Sequence, residues 1–202
     1  MVPDIETCYN LLYKENVPFH IIKHSEKVAL ISGVLASALS EKGEFLDLKL
    51  IISASLLHDI KKMESIYTGE NHAKLGEKFL KNLGYEKVAE IVGAHIIFKL
   101  KKPYDKIYPE EIVFYADKRV KHTTIVSVEE RFSDLKIRYG KTPKSLARLE
   151  FLYRFTKKIE KKIFERIEFC EKDLNKLNHV EGGKDVFEKC IESGTSCWRN
   201  LL

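Results

Sequence analysis

Cysteine is scarce in this chain of 202 residues, which contains four and no Cys-x-x-Cys pair. Disulfide frameworks and structural zinc sites usually need more cysteines or a regular spacing of them. The sequence therefore predicts reduced thiols and an intracellular setting. Cys190 and Cys197 are close enough along the chain to pair, but disulfides are uncommon in the cytosol, so we expect both to stay reduced.

Long apolar runs are also missing. No segment reaches the roughly 20 apolar residues that a transmembrane helix needs. Near the N-terminus, Asp4 and Glu6 come early and no long apolar run follows, which argues against a signal peptide. We therefore expect a cytoplasmic protein with no membrane partner.

Neither sign of charge dominates the composition. The 35 Lys and Arg residues exceed the 30 Asp and Glu residues by only five. So small and dispersed an excess makes a nucleic-acid partner an unfavoured prediction, although it suits an anionic small molecule. A glycine-rich phosphate loop is absent as well, so the sequence has no direct signal for a nucleotide.

Strand-like alternation and internal repeats are absent too, whereas helical periodicity runs through almost the whole chain. Apolar residues make up 44% of the composition, which suits one domain with a sizeable core. The softest boundary lies at residues 140–143. We therefore predict an all-α fold, with a helical domain over residues 1–140 and a C-terminal helical extension over residues 141–202 that packs on it.

Capping residues predict where the helices begin. Asp47 is a typical N-cap for a buried helix over residues 48–57, and Asn71 for a helix that ends at Gly84. The helix that starts at Pro143 is expected to extend to residue 177, because its apolar stripe continues that far. Further helix starts are predicted at Pro109 and Ser127.

Four histidines and two aspartates stand out, because five of the six lie on stretches whose pattern is that of buried helix. A bound metal ion is the simplest compensation for so much buried polarity. Imidazole and carboxylate ligands without thiolate favour a catalytic ion over structural zinc, and six of them suit two ions that share a carboxylate. Asp59, central in the order, is the expected shared ligand. The six residues are His24, His58, Asp59, His72, His95 and Asp117.

This pattern resembles the HD-domain superfamily of metal-dependent phosphohydrolases. The common short form of the family motif reads His-Asp-Ile-Gly-Lys, and Lys61 stands here in place of its glycine. The resemblance covers residues 19–139. The matching segments are HSEKVA with His24, HDIKK with His58 and Asp59, and YADKRV with Asp117.

The resemblance implies an all-α bundle with the metal site in its core. Members that hold two ions have two further histidines, and His72 and His95 stand where those would fall. Iron, manganese, cobalt, zinc and magnesium are all candidate ions. By this resemblance, one ion would be held by His24, His58, Asp59 and Asp117, and the other by Asp59, His72 and His95.

The implied function is hydrolysis of a nucleotide or another small phosphorylated metabolite by a metal-activated water. Asp59 and Lys62 are the predicted catalytic residues, the first as a metal ligand and the second as a contact to phosphate. Lys118 and Arg119 flank Asp117 and are predicted, with Lys62, to bind the substrate.

Two other functions remain open on the sequence alone. Some relatives of the superfamily use similar ligands in a mixed-valence diiron centre that activates dioxygen, so an oxygenase is one alternative. A non-catalytic nucleotide-binding module is the other. The lysine-rich face of the helix after Pro143 is compatible with a homodimer, although we favour a solvated surface there.

Overall fold

The computed structural model describes residues 1–98, 100–101 and 104–202, and helices dominate it. This confirms the predicted all-α class. Two 3-10 helices cover Asp173–His179 and Gly194–Ser196. The strands are β1 (Val120–Lys121) and β2 (Thr124–Ile125), an antiparallel hairpin that the sequence did not predict. The α-helices are α1 (Ile5–Lys14), α2 (Phe19–Glu41), α3 (Leu48–Leu57), α4 (Lys62–Thr68), α5 (His72–Asn82), α6 (Glu86–Ala94), α7 (Pro109–Asp117), α8 (Val128–Tyr139), α9 (Pro143–Phe164), α10 (Lys184–Ser193) and α11 (Cys197–Leu201).

Side-chain caps confirm the predicted helix starts. Asp47 accepts a hydrogen bond from the backbone N–H of Leu50 at 2.9 Å, and α3 spans the predicted residues. Asn71 accepts one from the N–H of Ala73 at 2.9 Å, and Gly84 follows α5 with a φ of +81°. These caps satisfy backbone donors that the first helical turn leaves without partners. The helices predicted at Pro109, Ser127 and Pro143 are α7, α8 and α9.

Helix α9 ends at Phe164, so the prediction that it extends to residue 177 was wrong. Leu174 and Leu177 are fully buried, but they reach the core from a 3-10 helix. The side chain of Asn178 exchanges hydrogen bonds with the backbone N–H and C=O of Ile125, which ties this segment to the hairpin. An apolar period of three to four residues does not distinguish a continued α-helix from a 3-10 turn.

Cys190 and Cys197 form a disulfide, contrary to the expectation that both stay reduced. The bond joins α10 to α11 and lies against α2, where a Cβ added at Gly33 would come within 3.2 Å of the Sγ of Cys190. The expectation came from the usual redox state of a compartment, whereas the pairing follows from two short elements that pack on one helix. One of the reasons for an intracellular setting is therefore removed.

The described residues contain no helix that is both long and apolar enough to span a bilayer. The cytoplasmic location stays a prediction.

Helix α2 lies at the centre of the fold and packs against α3, α7 and the C-terminal segment. Lys27 donates hydrogen bonds to the backbone carbonyls of Leu177, Asn178 and Val180 at 2.9, 3.1 and 2.7 Å. Residues on both sides of position 140 contribute to one hydrophobic core. The division of the chain at residue 140 stays a prediction, but the C-terminal segment is packed on α2.

Candidate metal centre

The six predicted ligands converge because several of the helices that carry them end at one place. His58 caps the C-terminus of α3, His95 caps that of α6, and Asp117 is the last residue of α7. The negative ends of three helix dipoles therefore meet, which favours a bound cation. His24 lies within α2, and His72 is the first residue of α5.

The six side chains, which we call the ligand cluster, contain two groups that share Asp59. In each group the potential ligand atoms all lie within 4.8 Å of one another. Asp117 adjoins the first group, because its Oδ1 is 3.2 Å from His24 Nε2 and 3.8 Å from His58 Nε2. In the second group, His72 Nε2 is 3.0 Å from Asp59 Oδ1. The first group is His24, His58 and Asp59, and the second is Asp59, His72 and His95.

Backbone carbonyls orient three of the four imidazoles. The Nδ1 atoms of His24, His58 and His95 each make a 2.7 Å hydrogen bond to a backbone carbonyl. Because a carbonyl can only accept, Nδ1 carries the proton and Nε2 keeps its lone pair for a metal ion. Sequence reasoning missed these partners, since a backbone atom leaves no signal in residue type. The carbonyls belong to His122, Ser55 and Val92.

Burial keeps two of these imidazoles neutral. It lowers the pKa of His58, against the opposing effect of Asp59 and Asp117. Burial and the nearby His58 lower the pKa of His95 to about 3. A neutral imidazole is the form that coordinates a metal ion.

The two aspartates are ionised. Burial alone would raise the pKa of Asp59, but the combined effect of the neighbouring His58, His72 and Lys62 holds the pKa well below the usual range. Burial would raise the pKa of Asp117 as well, but Lys118, His24 and His58 together hold it well below its usual range. The cluster therefore offers neutral nitrogen and negative oxygen, the donor set that divalent ions accept.

Two buried atoms of the cluster have no hydrogen-bond partner within the described residues, His58 Nε2 and Asp59 Oδ1. His72 Nε2 lies 3.0 Å from Asp59 Oδ1, but the contact does not meet the geometry of a hydrogen bond. Leaving a buried polar atom unsatisfied costs on the order of 1–3 kcal/mol. Cations bound at the two groups would satisfy both atoms, so the residues present fit a divalent metal site.

Lys62, the residue predicted to contact phosphate, lies beside the cluster. Its Nζ is 3.4 Å from His72 Nε2 and 3.6 Å from Asp59 Oδ1, and its side chain is 36% exposed. Lys61, in place of the usual glycine, turns away and pairs with Glu15 at 2.7 Å. The φ of Lys61 is −103°, outside the left-handed region, so this turn does not require glycine.

Lys118 lies beside the cluster, but its ammonium faces Asp117. It donates to Asp117 Oδ2 and, at 3.3 Å, to the backbone carbonyl of His95, and its side chain is only 9% exposed. These contacts hold the carboxylate with Oδ1 next to the imidazoles. The structure therefore places Lys118 where it positions a ligand, whereas the sequence predicted a contact to substrate.

The prediction that Arg119 binds substrate was wrong. Its side chain is fully buried, and its guanidinium donates to the carbonyls of Val126 and Glu171 and to the hydroxyl of Tyr115. These bonds tie the end of α7 to the hairpin and to the segment before the 3-10 helix. Adjacency to a ligand in sequence does not place two side chains on the same side of the backbone.

A cavity of about 720 Å³ opens beside α5 and α6, and none of the six cluster residues lines it. Its walls include Gly93, Ala94, Phe98 and Glu110. This cavity is therefore separate from the ligand cluster.

Comparison with known proteins gives several matches. The model of the HD domain family matches residues 21–123. A tRNA (cytidine(56)-2'-O)-methyltransferase of Thermoplasma volcanium is 31% identical over 145 residues, which are 62% of this chain and 41% of that protein. The "Uncharacterized protein MJ0778" of Methanocaldococcus jannaschii is 29% identical over 66% of this chain and 85% of its own length. No solved structure matches significantly.

A ribonuclease Y of Treponema denticola is 30% identical over 86 residues, which are 42% of this chain and 16% of that enzyme. The chain thus spans less than half of the methyltransferase and a small part of ribonuclease Y. The family match, by contrast, covers half of this chain and includes all six residues of the ligand cluster and Lys62. The chain therefore belongs to the HD domain family.

Proposed function

We propose that this protein is a metal-dependent phosphohydrolase that acts on a nucleotide or another small phosphorylated compound. The observation that carries the proposal is the pair of ligand groups that share Asp59, two of whose buried atoms, His58 Nε2 and Asp59 Oδ1, have no hydrogen-bond partner among the described residues. Membership of the HD domain family, most of whose members are metal-dependent hydrolases, supports the same chemistry.

The donor set suits two divalent ions, with iron, manganese, cobalt, zinc and magnesium as candidates. When bound, such ions polarise phosphoryl oxygens and lower the pKa of a water molecule. In this proposal, His24, His58, Asp59 and Asp117 hold one ion, and Asp59, His72 and His95 hold the other.

The chain itself supplies charge and position. Asp59, ionised and shared, is the ligand whose loss affects both ions. Lys62 presents an ammonium next to the second group, where it can neutralise charge on a phosphoryl oxygen. Lys118 keeps Asp117 oriented towards the imidazoles.

The substrate is proposed from charge and from the family. The names of two relatives concern RNA, a tRNA methyltransferase and a ribonuclease, but each aligns with this chain over only part of its length. We retain a small nucleotide as the proposed substrate and treat a short RNA as the competing one. A homodimer and the absence of a nucleic-acid partner stay predictions.

Metal content and phosphate release test the function together. The protein is purified anaerobically without added metal, its ions are measured by plasma mass spectrometry, and it is assayed with phosphomonoesters, phosphodiesters, nucleotides and a short RNA. We expect metal-dependent phosphate release from a nucleotide. In Asp59→Asn, we expect the ions to be lost and the rate to fall by about 100-fold or more, because both positions lose their shared carboxylate.

Asp185→Asn is the matched control, since Asp185 is an exposed carboxylate on α10 away from the cluster. It should keep the rate and the metal content of the wild type. Oxygen consumption with iron and no phosphate release would instead identify an oxygenase. Nucleotide binding that survives Asp59→Asn, without turnover in the wild type, would identify a binding module.

A further inference from the structure

The two proposed ion positions differ in the charge that they offer to a cation. The first position has two carboxylates, Asp59 and Asp117, whereas the second has only the shared Asp59. Because each ionised carboxylate adds a negative charge, the first position attracts a divalent ion more strongly. The first position is formed by His24, His58, Asp59 and Asp117, and the second by Asp59, His72 and His95.

The imidazole rings at the second position are also held in place by fewer hydrogen bonds than those at the first. Carbonyl groups hold the rings of His24 and His58 at the first position, but only His95 is held in this way at the second. Within the described residues, no hydrogen bond holds the Nδ1 of His72. His72 is also the first residue of α5, the positive end of a helix dipole, whereas His58 and His95 cap negative ends.

A resident cation already lies at the second position. The ammonium of Lys62 is 3.4 Å from His72 Nε2 and 3.6 Å from Asp59 Oδ1, two of the three ligand side chains. Lys62 makes no other ion pair within the described residues, and its side chain is 36% exposed. It can therefore offset the charge of Asp59, and it can turn into solvent when another cation enters.

Lys118, which lies beside the first position, differs from Lys62 in its contacts and in its exposure to solvent. It donates to Asp117 Oδ2 and to the carbonyl of His95, so Asp117 Oδ1 stays directed towards His24 and His58. With a side chain only 9% exposed, Lys118 has no path into solvent comparable to that of Lys62. One lysine thus supports a ligand of the first position, whereas the other competes for the ligands of the second.

We propose that a divalent ion binds at the first position before one binds at the second, and that Lys62 lowers the affinity of the second position for its ion. The residue then sets the divalent-ion concentration at which the chain changes from one bound ion to two. This inference rests on the proposed metal site, but it does not depend on which substrate is hydrolysed.

Titration of the ion-free protein with Mn²⁺ tests the inference without any activity assay. Free Mn²⁺ is followed by electron paramagnetic resonance, and heat by calorimetry. We expect two ions to bind to the wild type, the second about tenfold or more weaker than the first. Lys62→Met should strengthen the second step by about tenfold and leave the first within about twofold. His72→Ala should remove the second step alone.

Lys74→Met is the matched control. Lys74 lies on α5 close to His72 in sequence, but its side chain is 69% exposed and pairs with Glu77. It should bind Mn²⁺ as the wild type does, which separates the local effect of Lys62 from a change in net charge. Two equal steps in the wild type, or an unchanged second step in Lys62→Met, would overturn the inference.

The outcomes also distinguish this inference from the proposed function. Two ordered Mn²⁺ steps that respond to Lys62→Met, in a protein that releases no phosphate from any substrate, would sustain the inference and reject the hydrolase. A wild type that binds no Mn²⁺ at all would reject both.

Discussion

Two buried polar clusters flank the C-terminal end of α7, and they differ in how their polar atoms are satisfied. The first is the ligand cluster. The second, which we call the Tyr115 network, consists of Tyr115, Arg119 and Glu160. In the network, the Tyr115 hydroxyl donates to Glu160 at 2.8 Å and accepts from Arg119 at 2.7 Å.

Each polar group of the Tyr115 network has a partner within the chain. The remaining N–H groups of Arg119 bind backbone carbonyls and Asn175, and Glu160 also pairs with Lys157. In the ligand cluster, by contrast, His58 Nε2 and Asp59 Oδ1 are buried without a hydrogen bond among the described residues. Buried polar groups that satisfy one another build structure, whereas unsatisfied carboxylate and imidazole atoms that cluster together favour a ligand site.

Replacing Arg119 should lower the stability of the fold without changing the metal content of the folded protein. Arg119→Met leaves Tyr115 and Glu160 buried with fewer partners, so we expect the free energy of unfolding to fall by about 3 kcal/mol. The folded variant should keep the metal content of the wild type. Urea unfolding and plasma mass spectrometry measure the two effects. Arg154→Met, which removes an exposed arginine of α9, should change stability by less than about 0.5 kcal/mol. Loss of metal from folded Arg119→Met would contradict the prediction that the Tyr115 network does not affect metal binding.

Adding an ion should affect the ligand cluster and not the Tyr115 network. Mn²⁺ at about 100 times its dissociation constant should raise the free energy of unfolding by about 3 kcal/mol, because the ion binds only the folded chain. A chelator should reverse the gain. The gain should persist in Arg119→Met and disappear in Asp59→Asn. Equal stabilisation of both variants would show that Mn²⁺ acts elsewhere.

Acid should destabilise the ion-free protein partly through His95. Its pKa is about 3 in the folded chain against an ordinary value of 6.5. Between these values only the unfolded chain binds the proton, so the free energy of unfolding falls as the pH decreases from 6.5 towards 3. The contribution is at most about 1.4 kcal/mol per pH unit. Urea unfolding at several pH values should show a shallower slope for His95→Asn than for the wild type, and an identical slope would refute this role.

Removing a helix cap should give the smallest effect. Asn71 caps α5, the helix that presents His72 to the cluster. Asn71→Ala should lower the free energy of unfolding by about 1 kcal/mol or less, and Asn71→Asp should retain most of the stability. Amide hydrogen exchange should locate the loosening in the first turn of α5. If the amides of α7 instead lose protection from exchange in Asn71→Ala, the effect of the cap is not confined to α5.

Much of the fold follows from local patterns. Asp47 and Asn71 cap the helices that their positions predict, because a capping side chain acts on backbone atoms two or three residues away. The end of α9 was not predictable in the same way. Leu174 and Leu177 continue the apolar period from a separate 3-10 helix, which Asn178 ties to the backbone of the sequence-distant Ile125.

Residue types and their order identified the six members of the ligand cluster, and the structure brings them together. Their roles as metal ligands await measurement. Neighbours in sequence were a poorer guide, because Arg119 supports the fold and Lys118 faces Asp117. The disulfide between Cys190 and Cys197 was likewise not expected, since its formation depends on how α10 and α11 pack on α2.

The sequence by itself determined the helical class, most helix starts and the identity of the polar residues that demand a partner. These follow from side-chain chemistry and from spacings within one or two helical turns. The tertiary structure alone decided which carbonyls orient three of the imidazoles, that Lys118 holds Asp117 and that Lys62 lies beside His72 and Asp59. Those roles depend on distances between segments tens of residues apart, and only the packed chain sets them.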